Sequence, residues 1–207
     1  MEFFSHINTQ FFILAYLVGS IPFGMILAKY FAGVNVKEDG SKSIGATNVL
    51  RVVKKTNPAL AKKLGIATVV LDALKGAVVI GIAMALGLGQ STLWGIAVLA
   101  VLGHCYSLYL GFEGGKGVAT ALGVFLVLIP IPTLIGAVVW GFCAKVLKIS
   151  SLSSLLGLIG VVISALFLNN GLGVNSNAPM YIIAFIIIYK HIPNIIRMIK
   201  GEESKVV

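Results

Sequence analysis

The feature that most constrains the fold is a series of long apolar runs. Of the 207 residues, 58% are hydrophobic and 11% are charged, and the mean hydropathy is +1.01. A chain of this composition belongs in a bilayer, where every backbone polar group must be satisfied inside the protein. The runs lack the alternating pattern of barrel strands. We therefore predict an all-α, polytopic integral membrane protein, with residues 1–207 forming a single membrane-embedded domain.

About seven transmembrane helices are predicted. The first apolar run follows Glu2 without Lys or Arg and exceeds signal-peptide length, so we expect it to remain as an anchor, kinked at Pro22. The run from Val118 to Val146 is divided at Pro130 and Pro132, because two crossings keep all sixteen Lys and Arg residues on or near one side. The first of these two helices is short for a crossing. The other spans are predicted at about 9–32, 64–88, 93–110, 152–168 and 179–192.

The positive-inside rule places the N-terminus outside and the C-terminus in the cytoplasm. The uncharged loop from Asn169 to Asn177 then lies outside. Four polar stretches share the cytoplasmic face: Ser41 to Arg51, the loop around Lys116, Ser150 to Ser154, and Lys190 to Glu203. This convergence predicts a site that faces the cytoplasm.

The strongest candidate is the glycine-rich loop around Lys116. Gly114 and Gly115 have no Cβ, so their N–H groups can approach a bound anion, and Lys116 adds a full positive charge. The apolar run after Gly117 opens a helix whose N-terminus faces the same spot. These features favour phosphate binding, although the spacing is not that of a Walker A loop. The alternative is a flexible turn with a topology-setting lysine.

The first polar loop offers a second set of anion ligands. Ser41, Thr47 and Asn48 can donate hydrogen bonds, and Arg51 can bind two phosphate oxygens at once. Alternatively, Thr47 or Asn48 caps a short helix and Arg51 anchors lipid headgroups.

Further candidates lie at the start of the sixth span and in the C-terminal tail. An N-cap explains one of the four serines within Ser150–Ser154, but not all of them. His191, Asn194 and Arg197 follow one another at a spacing of three, which places them on one helix face. His104 lies near the Lys116 loop, and its alternative role is to donate to a neighbouring carbonyl.

Two ionisable residues lie deep in the second span. Asp72 and Lys75 are three residues apart, and we expect them to pair with each other or with a third group, because isolated charges there are costly. A functional role is the alternative. Cys105 and Cys143 are interpreted as packing residues, and no cluster of ligands predicts a metal site.

Five stretches of the chain form a recognisable series. In order, they are GSKSIGATNVLR (40–51), DALKG (72–76), GHCYSLYLGFEGGKGVAT (103–120), SLSS (151–154) and His191 with Asn194. Together they resemble the bacterial acyl-phosphate:glycerol-3-phosphate acyltransferases of the PlsY type, and the resemblance covers nearly the whole chain.

The resemblance implies transfer of a fatty acyl group from acyl phosphate to the sn-1 hydroxyl of glycerol 3-phosphate, giving lysophosphatidic acid and phosphate in phospholipid synthesis. It implies location in the bacterial inner membrane and no cofactor. The expected partners are the two substrates and membrane lipids, and no nucleic acid. With His104 added, the substrate-binding residues are Ser41, Thr47, Asn48, Arg51, His104, Gly114, Gly115, Lys116, Ser151, His191 and Asn194, of which Arg51, Lys116, Ser151, His191 and Asn194 are assigned catalytic roles.

The chain departs from the family pattern at four positions. Lys42 and Ser43 replace the usual Gly-Asn, Ser107 replaces a proline, and Glu113 replaces a basic residue. These changes alter the expected loop geometry but retain Ser41 and Lys116.

We expect no acyl-enzyme intermediate, because no serine lies in a nucleophile elbow or beside an acid-histidine pair. Either His191 or a substrate phosphate oxygen accepts the hydroxyl proton. The alternative function is a small organophosphate transporter or binding protein, which predicts cationic groups on both sides of the membrane and repeated halves.

Overall fold

A computed structural model describes residues 6–168 and 176–205. These ranges form ten α-helices and a short 3-10 helix at Leu108–Leu110. In chain order the α-helices are α1 (Ile7–Ser20), α2 (Phe23–Ala32), α3 (Ala46–Lys54), α4 (Pro58–Ala85), α5 (Gln90–Cys105), α6 (Val118–Leu128), α7 (Pro130–Leu147), α8 (Ser150–Leu168), α9 (Ala178–Lys190) and α10 (Ile192–Ile199).

Seven apolar segments correspond to the seven predicted spans. Five are long and apolar enough to cross a bilayer: α1 joined to α2, α4, α5 extended to Leu110, α7 and α8. Helices α9 and α10 form a sixth candidate, bent by 51° at their junction, and α6 is an 11-residue apolar helix. The all-helical, polytopic membrane fold is confirmed. The count of seven crossings and the orientation of the termini stay predictions, and the loop predicted at 169–177 lies mostly outside the described residues.

Helix α4 begins at Pro58, six residues before the predicted Leu64. The side chain of Asn57 caps the helix, since its Oδ1 accepts the N–H of Leu60 at 3.0 Å. Proline suits the first helical position because that position needs no N–H donor. A hydropathy window misses this start because the first turns of α4 carry two lysines.

The segment between the first two spans is not a continuous loop, because it contains α3. This helix is amphipathic and buries one face of Val49, Val52 and Val53 against the loop and the start of α4. Gly45 precedes α3 without a side-chain cap bond, so neither Thr47 nor Asn48 caps it. Both residues lie in the first turn, at the edge of a cavity.

The predicted kink at Pro22 is present as a break between α1 and α2. At this break the Ile21 carbonyl accepts a hydrogen bond from Lys75 Nζ at 3.0 Å. The same Nζ donates to Asp72 Oδ1 at 2.9 Å and lies 2.9 Å from His104 Nδ1. These three side chains, the buried charged cluster, are almost completely excluded from solvent.

The cluster confirms the predicted pairing of Asp72 with Lys75 and supplies His104 as the third group. The ammonium has no lone pair, so His104 Nδ1 accepts from it, and its ring hydrogen is on Nε2. His104 therefore does not use Nδ1 to donate to a carbonyl, as the alternative interpretation held. The cluster connects the α1/α2 break, the middle of α4 and the end of α5.

We predict that Lys75→Met destabilises the protein strongly, because it leaves the Asp72 carboxylate buried without its cation. Breaking a buried pair costs about 3 to 5 kcal/mol. The double variant Asp72→Asn with Lys75→Met removes both charges and is expected to lose less. Thermal unfolding in detergent measures both variants, and a Lys75→Met protein as stable as the wild type would contradict the assigned role.

Candidate active site

A cavity of about 500 Å³ collects residues from all four polar stretches that the sequence predicts to converge. Its polar end contains most of the predicted substrate ligands. They are Ser41, Thr47, Asn48, Arg51, His104, Lys116, Ser151, His191 and Asn194. The predicted convergence is therefore confirmed.

The other part of the cavity is apolar and lies between α4, α6, α7 and α8. Val69, Leu122, Phe125, Trp140 and Val161 contribute to its walls. One continuous space thus joins a polar end to a gap between hydrophobic helices. Such a space suits an amphiphile with an anionic head and an aliphatic chain.

Lys116 projects from the loop directly before α6. Gly117 has a φ of 84°, a left-handed conformation that permits the sharp entry into the helix at Val118. The helix start predicted here is confirmed. Lys116 is half-buried and forms no ion pair with the residues that the structure describes. A cation held in this way is available to an anionic ligand.

Burial lowers the pKa of Lys116 to about 8. The carboxylate of Glu203 opposes this shift, whereas the guanidinium groups of Arg197 and Arg51 lower the pKa further. Binding of a phosphate at this site would favour the charged form of Lys116. Lys116 is therefore a cation at neutral pH that loses its charge under mildly alkaline conditions.

Gly114 and Gly115 differ from the prediction. Their N–H groups donate to the carbonyls of Cys105 at 3.2 Å and His104 at 2.9 Å, so they are not turned toward an anion. Neither glycine lines the cavity. The loop lies against the end of α5, and both N–H groups form hydrogen bonds there. In this structure they hold Lys116 in position and do not bind an anion.

Asn48 is buried, and its amide is fully used inside its own loop. Its Oδ1 accepts the Ser41 N–H at 2.8 Å, and its Nδ2 donates to the carbonyls of Val36 and Ser43, each at 2.8 Å. These bonds shape the loop and hold Ser41 at the edge of the cavity. The geometry thus indicates a positioning role for the predicted ligand Asn48.

Three of the four serines at the start of α8 form hydrogen bonds that stabilise this helix or join it to α3. Ser153 and Ser154 donate to carbonyls one turn back, at 2.8 and 2.9 Å. The hydroxyl of Ser150 lies 3.0 Å from Thr47 Oγ1 and so joins α8 to α3. The fourth, Ser151, lies at the polar end of the cavity, and its hydroxyl points toward the C-terminal tail.

His191 lies at the junction of α9 and α10, and its ring is buried. Its Nδ1 is 2.7 Å from the carbonyl of Ile187. A carbonyl can only accept, so Nδ1 carries the hydrogen and Nε2 keeps a lone pair. The neutral ring can therefore accept a proton at Nε2.

The sequence analysis missed Glu203 as a component of the site. Its carboxylate accepts hydrogen bonds from Ser151, Asn194 and Arg197, and the neighbouring Ser204 accepts one from Arg51 at 2.8 Å. Burial raises the pKa of Glu203, but these hydrogen bonds outweigh burial and leave it below the ordinary value. The available indication was an acidic pair in an otherwise basic tail.

Three of the four departures from the family pattern have a structural counterpart, at Lys42, Ser107 and Glu113. Lys42 adopts a left-handed φ of 56°, a conformation that glycine adopts at lower cost. Ser107 is buried and donates to the Ser20 carbonyl at 2.6 Å. Glu113 forms an ion pair with Lys37 at 2.8 Å, which joins the first polar loop to the Lys116 loop.

Comparison with known proteins agrees with this geometry. A family model described as glycerol-3-phosphate acyltransferase matches residues 9–201. The glycerol-3-phosphate acyltransferase of Aliarcobacter butzleri is 73% identical over the full length of both chains, and that of Sulfurimonas denitrificans is 59% identical over the same extent.

Two solved structures have the same fold. They are crystal structures of PlsY (YgiH), an integral membrane glycerol 3-phosphate acyltransferase, in its glycerol 3-phosphate form and its lysophosphatidic acid form. The first has a TM-score of 0.82 at 34% identity and covers 97% of this chain and 96% of its own. The second has a TM-score of 0.80 at 34% identity and covers 97% and 95%.

The fold and the site define a membrane-embedded acyltransferase. The chain belongs to the glycerol-3-phosphate acyltransferase family, in the PlsY type. It is thus an enzyme of lipid synthesis with glycerol 3-phosphate as substrate, and the transporter alternative is set aside.

We predict that affinity for glycerol 3-phosphate falls as pH rises from 7 to 9. Lys116, with a pKa of about 8, changes from mostly charged to mostly neutral over this range. The second pKa of a phosphate monoester is about 6, so the charge of the ligand stays nearly constant.

Isothermal titration calorimetry measures this affinity without requiring turnover. The matched variant is Lys116→Arg, which stays charged throughout. Its affinity is expected to depend less on pH than that of the wild type. Parallel pH profiles for the two proteins would show that titration of Lys116 does not control binding.

Proposed function

We propose that this acyltransferase uses acyl phosphate as donor and acylates the sn-1 hydroxyl of glycerol 3-phosphate. Lysophosphatidic acid and inorganic phosphate are the products. The cavity that joins Lys116 and Arg51 to an apolar gap carries this proposal, because both substrates have a phosphate and one also has a long chain. The two cations bind the phosphate groups at the polar end, and the gap between α4, α6, α7 and α8 receives the acyl chain.

In the reaction, the glycerol hydroxyl oxygen attacks the acyl carbonyl carbon and forms the new ester bond. The bond between this carbon and the phosphate oxygen breaks, and phosphate leaves with the electron pair. Holding the two groups in contact supplies about 7 to 11 kcal/mol through orientation. Lys116 and Arg51 stabilise the negative charge that develops during transfer.

The hydroxyl proton passes either to His191 or to a phosphate oxygen of a substrate. His191 is competent because its Nε2 keeps a lone pair while Nδ1 is held by the Ile187 carbonyl. A phosphate dianion is also basic enough near neutral pH, and it lies close to the reacting hydroxyl in any productive complex. We favour the phosphate slightly, because burial of the His191 ring disfavours its protonated form.

We further infer that the polar end of the cavity faces the cytoplasm in a bacterial inner membrane. Arg51, Lys116 and Arg197 line this end, and the positive-inside rule favours such basic segments on the cytoplasmic side. The N-terminus then lies outside, and the chain acts as one membrane-embedded domain. The remaining predicted ligands, Ser41, Thr47, Asn48, His104, Gly114, Gly115, Ser151 and Asn194, bind substrate or hold the loops that do.

We predict that the purified protein in detergent forms lysophosphatidic acid from palmitoyl phosphate and radiolabelled glycerol 3-phosphate. Lys116→Ala is expected to lose roughly 100-fold or more in turnover, because it removes a positioned cation. The matched control is Lys62→Ala, which removes an exposed lysine on α4 and should leave turnover unchanged. Product formed from palmitoyl-CoA instead would contradict the assignment of acyl phosphate as donor. Product acylated at the other hydroxyl would contradict the assignment of the sn-1 position.

A His191→Gln variant in the same assay separates the two proton acceptors. A histidine that acts as general base contributes roughly 100- to 10,000-fold. Turnover within about tenfold of the wild type would therefore assign the proton to the phosphate.

A further inference from the structure

The carboxylate of Glu203 is a shared acceptor for three side chains of the site. Its Oε1 accepts from Ser151 Oγ at 2.7 Å and from Asn194 Nδ2 at 2.6 Å, and its Oε2 accepts from Arg197 Nε at 2.7 Å. Only 9% of the Glu203 side chain is exposed. One tail residue thus connects the start of α8 with two successive turns of α10.

The bond from Ser151 fixes the direction of its single hydroxyl hydrogen. An ionised carboxylate only accepts, so Ser151 is the donor and its oxygen offers only lone pairs to other partners. In this state Ser151 cannot donate to a phosphate, but it can accept from an alcohol. The bond from Asn194 likewise fixes which end of its amide is the donor.

The phosphate-binding cations are arranged differently. Lys116 forms no ion pair within the described ranges, and Arg51 Nη2 donates to the neutral hydroxyl of Ser204 rather than to a carboxylate. The polar end therefore divides into a cationic side with Lys116 and Arg51, and a hydroxyl-accepting side with Ser151.

The tail is held in this position by its own backbone. Gly201 has a left-handed φ of 73°, which ends α10 and turns the chain back. The Glu202 N–H then donates to the Arg197 carbonyl at 2.8 Å. Glu203 follows directly and reaches the cavity.

We propose that Glu203 is a positioning residue for acyl transfer: it orients Ser151 and Asn194 so that they align the hydroxyl end of the acceptor with the acyl carbonyl. This assignment rests on the proposed function of the site. The rival account is that Glu203 imitates a substrate phosphate and must be displaced. A phosphate mimic would lie on Lys116 or Arg51, whereas Glu203 lies on two neutral donors and on Arg197.

The test compares Glu203→Gln, Glu203→Asp and the control Glu38→Gln, which removes an exposed carboxylate that does not line the cavity. Steady-state kinetics give kcat and the KM for glycerol 3-phosphate, and calorimetry with inorganic phosphate gives the affinity of the cationic side. The assay uses whichever acyl donor the wild type accepts, so a wrong donor assignment leaves the comparison intact.

For Glu203→Gln we expect kcat to fall about 10- to 100-fold, because the acceptor hydroxyl loses its alignment. Glu203 raises the pKa of Lys116, so the KM and the phosphate affinity are measured below pH 7, where Lys116 stays charged. Under these conditions both should change less than about threefold, since Glu203 forms no hydrogen bond with Lys116 or Arg51. Glu203→Asp keeps the charge and should give an intermediate kcat, and Glu38→Gln should match the wild type. If Glu203→Gln does not fold, a lowered kcat with unchanged KM in Glu203→Asp supports the same assignment.

The double variant Glu203→Gln with Ser151→Ala gives a readout that a purely structural role would not produce. If Glu203 acts through Ser151 and Asn194, the loss in the double variant is smaller than the product of the losses in Glu203→Gln and Ser151→Ala. Additive losses, or an unchanged kcat in folded Glu203→Gln, would overturn the proposal. A tenfold or greater gain in phosphate affinity would overturn it in favour of a tail that competes with substrate.

Discussion

The structure depends on one buried ionic contact, between Lys75 and Asp72 inside helix α4. Charges at this depth are tolerated only when they are paired and fully hydrogen-bonded. Lys75 meets that demand with three partners from different parts of the chain: Asp72, the Ile21 carbonyl at the proline break, and His104 at the end of α5. The carbonyl of His104 in turn accepts the Gly115 N–H, so the position of the Lys116 loop follows from the same contact.

The polar end of the cavity separates two tasks that a phosphate-bearing acceptor imposes. In the proposed function, its phosphate binds the cations Lys116 and Arg51, and its hydroxyl needs an acceptor and a fixed direction. Glu203 occupies the hydroxyl hydrogen of Ser151 and one of the two amide hydrogens of Asn194, so neither of these bonds is directed to the cationic side. This division explains why a carboxylate lies inside a site built for anions.

The sequence was sufficient to predict the convergence of the polar stretches, because the lysines and arginines restrict how the apolar runs can cross. It also predicted the break at Pro22 and the helix that opens after Gly117, both of which are local backbone effects. The role of Glu203 depends on how the chain turns after α10 and contacts α8. This is a tertiary contact, and no local sequence motif predicts it. For the same reason, the use of the Gly115 amide and of Asn48 inside the protein was not predictable from their residue types.

The most direct test of the central claim is a crystal structure of this protein with glycerol 3-phosphate bound. We expect phosphate oxygens within about 3 Å of Lys116 Nζ and of the Arg51 guanidinium. The hydroxyl end of the ligand should lie toward Ser151. A phosphate bound away from both cations, or one that replaces Glu203 on Ser151 and Asn194, would contradict the division of the site described above.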